Sequence, residues 1–95
     1  MSDPTVLILA SLAEGNKHGY AIMEDIEVFA GIRLGPGTLY GAIARLEKSG
    51  WIRAVASKSR RQPYRITADG SRELKKQLEL FGQVVRAGNR RTREA

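Results

Sequence analysis

The stretch "GPGTLYGAIARLEKSGW", Gly35–Trp51, decides how this chain is read. Pro36 can open a helix but not sit inside one, and Gly50 suits an ending, so the spacing predicts a helix between them. Leu39, Ile43 and Leu46 recur at i, i+4 and i+7 and give that helix one apolar stripe. The opposite side is nearly bare: Gly37, Gly41 and Ala44 carry almost nothing, and Arg45 and Lys48 extend from it. A glycine inside a helix costs about 1 kcal/mol relative to alanine. A bare outer face therefore suggests that something must approach the backbone closely.

Upstream, "HGYAIMEDIEVFAG" (His18–Gly31) predicts a helix with Tyr20, Met23, Ile26 and Ala30 inward, flanked by Ile22 and Phe29. Glu24, Asp25 and Glu27 form its solvated side, and Gly31 ends it. Two helices joined by a short glycine-containing connection make a helix-turn-helix. Ahead of them, Asp3-Pro4 reads as an N-cap followed by proline at the first helical position. Thr5 to Ala13 are apolar almost all round, a pattern of burial on more than one side. A second subunit is expected to supply the other wall. Glu14-Gly15-Asn16-Lys17 reads as the intervening turn.

Downstream the period changes. Trp51, Ile52 and Val55 read as a strand, "SKSRRQP" (Ser57–Pro63) as a polar tip and "YRIT" (Tyr64–Thr67) as a second strand, which makes a β-hairpin with a basic tip. Thr67 or Asp69 can cap a last helix from about Gly70, where Leu74, Leu78, Phe81 and Val85 form a heptad-like seam. The closing "AGNRRTREA" is small and charged, and fraying is expected there. The fold class is thus mainly α with a small β-hairpin: a winged helix-turn-helix over residues 1–69, continued at 70–95 by a C-terminal dimerisation helix with a frayed basic tail.

Composition sets the outer bounds. The chain has 95 residues, 42% of them hydrophobic, which suits one small domain. Without cysteine, neither a disulfide framework nor a thiolate metal site can form. The apolar run "VLILASLA" is too short to span a bilayer, so no membrane association and a cytoplasmic location are expected. Net charge is +6, divided as −2 over residues 1–50 and +8 over residues 51–95. A basic half on a small domain points to a polyanion. His18 is the only histidine and is read as a cap or packing residue at the start of the second helix. Neither a metal site, a cofactor loop nor a catalytic constellation is legible, so an enzyme is not expected.

In helix-turn-helix modules the second helix of the pair enters the major groove. The candidate DNA contacts follow from it. Gly37 and Gly41 let the backbone approach, Thr38 and Tyr40 offer hydroxyls, and Arg45 and Lys48 reach phosphates or guanine edges. Lys58, Arg60 and Arg61 on the hairpin tip would lie along the sugar-phosphate backbone. Two alternatives stay open at this point: a winged-helix module that binds another protein through the same face, and a small-molecule sensor with little DNA affinity.

Three segments, "ILASLAEGNKHGYAI" (8–22), "GTLYGAIARLEKSGW" (37–51) and "RRQPYRITADGSREL" (60–74), together resemble the PadR family of bacterial transcriptional regulators, in particular its short subfamily. The resemblance implies a homodimeric repressor on an inverted-repeat operator in double-stranded DNA. It also implies a dimer interface built from the first and last helices. Val6, Leu7 and Leu9 with Leu74, Leu78, Phe81 and Val85 are the residues expected there. For some short members it implies release from DNA by a flat aromatic effector. Two departures bear on this. Ala44 stands where members often carry a basic residue, and the last helix has Phe81 but no tryptophan, so stacking of a drug between indoles does not carry over.

Overall fold

The computed structural model describes residues 3–94. The elements run α1 (Thr5–Glu14), β1 (Lys17–His18), α2 (Gly19–Ala30), α3 (Pro36–Lys48), β2 (Ile52–Ala54), β3 (Pro63–Ile66) and α4 (Ala68–Glu94). This is the mainly helical winged helix-turn-helix expected, with a C-terminal helix. The wing, however, is more than a hairpin. Its sheet has the order β1-β3-β2, antiparallel throughout, with Lys17 opposite Tyr64 and His18 opposite Pro63. Lys17 is thus a strand residue rather than the end of a turn. A two-residue strand shows no alternation of its own, and only its partner makes it a strand.

The core gathers one stripe from each helix. Ile8, Leu9 and Leu12 of α1 meet Ile22 and Ile26 of α2 and Leu39, Ile43 and Leu46 of α3, with Ile52, Tyr64 and Leu74 closing the sides. The α3 stripe is as the spacing predicts, joined by buried Ala42. In α2 the inward line is Ile22 and Ile26, and Tyr20 points out at 54% exposure. The sequence pattern there admits two adjacent stripes, and packing against α1 selects one.

Helix α1 is largely enclosed by its own chain. Leu7, Leu9 and Leu74, assigned above to a dimer interface, are buried within this one chain, Leu9 completely. Helices α2, α3 and α4 and strand β3 surround α1, so a single chain supplies most of the walls expected from a partner. The cap of α1 is also displaced by one residue. Pro4 holds the N-cap position, while Asp3 Oδ1 accepts hydrogen bonds from the Thr5 N–H at 3.0 Å and the Thr5 hydroxyl at 2.7 Å. Asp25 is no bystander on a solvated face: it accepts from the buried Ser11 hydroxyl at 2.7 Å and lies 3.7 Å from Lys17 Nζ, tying α1, β1 and α2 together.

Helix α4 starts on a compact knot. The Thr67 hydroxyl donates to the Gly50 carbonyl at 2.7 Å and accepts the Gly70 N–H at 3.0 Å, while the Thr67 N–H donates to the Trp51 carbonyl at 3.0 Å. Thr67, not Asp69, is therefore the cap. Helix α4 then runs for 27 residues, about 40 Å at 1.5 Å per residue, to Glu94. Only its first turns pack on the body. Leu78, Leu80, Val84 and Val85 stand 49–61% exposed on the part that projects. The projection accounts for the molecule's length of 55 Å against widths of 26 and 20 Å.

Candidate nucleic-acid interface

Burial of Leu39, Ala42, Ile43 and Leu46 fixes how α3 is rotated. The consequence is an outer face on which Gly37, Thr38, Gly41, Ala44, Arg45 and Lys48 are all exposed. Apart from its chain neighbours and the backbone of its own helix, a Cβ added at Gly37 or Gly41 would find no atom of the described residues within 4 Å. Neither glycine is therefore required by internal packing. No other described helix of the chain lies on these small residues.

The two flanks of the face differ. On one, Arg45 Nη2 lies 3.2 Å from Asp3 Oδ1, across a shallow hollow lined by Pro4, Gly37, Thr38 and Gly41. The Thr5 hydroxyl and N–H hold the Asp3 carboxyl below its ordinary value, and the Arg45 charge adds to this. Asp3 was legible only as a cap. Its contact with Arg45 spans a long sequence separation that no local pattern reveals.

On the other flank Tyr40, about half exposed, leans over the start of α2. A Cβ at Gly19 would fall 2.6 Å from Tyr40 Cζ, so glycine at 19 is what lets the tyrosine lie there. His18 caps α2, its Nδ1 accepting the Ala21 N–H at 3.2 Å. The β1–β3 ladder sets His18 beside Pro63 and so brings the wing to this flank. Arg61 Nη1 lies 3.1 Å from His18 Nε2. Burial, with Glu47 and Tyr40 adding to it, pushes the Tyr64 hydroxyl above its ordinary value.

The wing tip is ordered by its own side chains. The Ser59 N–H donates to Ser57 Oγ at 3.0 Å and the Arg61 N–H to Ser59 Oγ at 3.1 Å. Gln62 Nε2 clips the base of the loop through the Val55 and Pro63 carbonyls. Lys58 and Arg60 are exposed, and like Lys48 they have no carboxylate within 4 Å among the described residues. Of the residues singled out from sequence, Tyr40 and Arg61 are thus brought together with His18, Arg45 is tied to Asp3, and Lys48, Lys58 and Arg60 stand free.

Residues 8–76 match the transcriptional regulator PadR-like family. The chain belongs to that family. A 37.1 kDa protein of the transposon TN4556 from Streptomyces fradiae is 45% identical over 87 residues, which is 87% of this chain but 25% of that protein. The chain thus spans about a quarter of that relative. Among solved structures, a transcriptional regulator from Clostridium thermocellum superposes with a TM-score of 0.81 at 34% identity, covering 90% of this chain and 86% of that one. A PadR family transcription regulator from Clostridium difficile gives a TM-score of 0.82 at 24% identity, and F93 from STIV, a winged-helix DNA-binding protein, gives 0.80 at 21%; each covers 90% of this chain and 94% of that one. These last two share the winged-helix fold with this PadR-like regulator. None of its described helices is long and apolar enough to cross a membrane.

Proposed function

We propose that this PadR-like regulator binds double-stranded DNA as a homodimer, with α3 of each chain in the major groove and the wing on the sugar-phosphate backbone. In this reading it represses transcription from an inverted-repeat operator. The observation that carries it is the outer face of α3: a centre of glycine and alanine that none of the described residues covers, with Arg45 and Lys48 on it and the free cations of the wing beside it. A protein-binding face would carry large apolar side chains at its centre, and this one has only the Ala44 methyl.

Salt dependence tests the reading. Labelled duplex from the region upstream of the regulator's own gene is titrated at several salt concentrations. Affinity is expected to fall steeply with salt, and Arg60→Ala with Arg61→Ala to weaken binding about ten-fold and flatten the slope by about two units. Binding that ignores salt, or that the double substitution leaves unchanged, overturns it. Selection from random duplex fragments then reads site symmetry directly.

The dimer rests on α4. Leu78 and Val85 are exposed on one stripe with half-buried Phe81, and Leu80 and Val84 widen the apolar surface beyond the seam read from sequence. Covering each such side chain is worth about 1.5–3 kcal/mol. Leu78→Glu with Val85→Glu is expected to halve the sedimenting mass and leave helix content intact, since neither residue supports the single chain's core. An unchanged mass would remove α4 from the interface. The aromatic effector suggested by the resemblance belongs to this reading as well. The hollow beside Val6, Trp51 and Phe81 has about 150 Å³ in one chain, room for a single ring.

A further inference from the structure

His18 makes two contacts that a single imidazole cannot satisfy as hydrogen bonds. Its Nδ1 accepts the Ala21 N–H at 3.2 Å, the bond that caps α2. A neutral imidazole that accepts at Nδ1 carries its proton on Nε2. Yet Arg61 Nη1, always a donor, stands 3.1 Å from that Nε2. Two donors face each other with no acceptor between them. The Tyr40 hydroxyl lies close by, over Gly19, and Arg60 and Gln62 line the same open cleft of about 380 Å³. No Asp or Glu lines the cleft, so no carboxylate among the described residues meets this pair of donors.

We infer that His18 Nε2–H, Arg61 and the Tyr40 hydroxyl together bind one phosphate oxyanion, and that the phosphate belongs to the DNA backbone at the edge of the groove occupied by α3. This rests on the DNA-binding reading above and adds His18 to it. The oxyanion resolves the clash, because one oxygen can accept from both His18 Nε2 and Arg61. The role of His18 is double: one ring nitrogen holds the start of α2, and the other reaches the anion. The β1–β3 ladder sets the pair in register, so the wing and the helix-turn-helix grip the same phosphate.

The test separates the two nitrogens. His18→Asn keeps a capping oxygen but removes the distal donor. It is expected to melt like the wild type and to bind specific and unrelated duplexes alike at least about ten-fold more weakly, the loss of one hydrogen bond to a charged group. Its salt slope is expected to be unchanged, whereas Arg61→Ala flattens the slope by about one unit. Duplexes carrying one neutral methylphosphonate, scanned along the backbone, are expected to contain a position that weakens wild type several-fold more than His18→Asn, which keeps only Arg61 and Tyr40 on that phosphate. If the two proteins respond alike at every position while Arg60→Ala with Arg61→Ala still flattens the slope, His18 is a cap alone and the inference fails, with DNA binding intact. If wild type binds no duplex, both fail. Should His18→Asn melt early, Tyr40→Phe, which keeps the ring over Gly19, takes its place in the same scan. Inorganic phosphate distinguishes the source: saturation of the His18 Nε2 resonance by low millimolar phosphate without DNA would assign the site to a free anion and overturn the backbone assignment.

Discussion

Replacing Gly41 by leucine is expected to lower duplex affinity at least about 100-fold while leaving the chain folded and no less stable, a loss of about 2.7 kcal/mol. Within the chain the substitution is harmless. Beyond its own helix backbone and chain neighbours, no atom of the described residues lies within 4 Å of the new Cβ, and leucine is the better helix former by close to 1 kcal/mol. In a complex the leucine would stand between the α3 backbone and the groove. Moving α3 outward by even a few ångströms detaches Thr38, Arg45 and Lys48 together, and the wing with them, because all are set on one rigid body. Thermal melting and fluorescence anisotropy on the same preparation separate the two effects. A leucine variant that melts normally and binds duplex like wild type would mean that α3 does not enter a groove.

Gly70→Ala is expected to do the reverse, lowering stability by about 2–3 kcal/mol, or roughly 10–20 °C in melting temperature. A Cβ at this position would collide with the Trp51 carbonyl oxygen, and Ile66 Cγ1 would lie at 3.0 Å. That carbonyl already accepts the Thr67 N–H, and Thr67 also caps α4 and bonds Gly50. The backbone at Trp51 therefore cannot retreat without breaking the knot that joins the end of α3, the wing and α4. Calorimetry of the purified variant checks this. A melting temperature within a degree or two of wild type would show that the knot is softer than its geometry implies.

The two glycines show how unevenly the sequence can be read. Gly41 announces itself, because an unneeded glycine on the bare side of an amphipathic helix has a visible local cost. Gly70 looks like any residue of an early helical turn, and its reason lies in a carbonyl brought near by folding. The same division runs through the interface. Lys58, Arg60 and Arg61 were legible as a charge run at a turn. His18 and Asp3 were legible only as caps, because their second contacts, with Arg61 and Arg45, join positions more than 40 residues apart. Leu7, Leu9 and Leu74 make a related point: hydrophobicity says that a residue is covered but not by which chain, and here one chain already covers them.

What this sequence determined unaided was everything governed by neighbours a few residues away: the helices, their breaks, the stripe of Leu39, Ile43 and Leu46, the bare face opposite it and the basic tip of the wing. Periodicity, capping and turn chemistry are local, so one chain of letters carries them. Only the tertiary structure decided which side of α2 is inward, that Lys17 and His18 form a strand, that α1 is enclosed by its own chain, and that His18, Tyr40 and Arg61 share a corner. Those facts come from contacts between segments far apart in the chain, whose partners are chosen by packing.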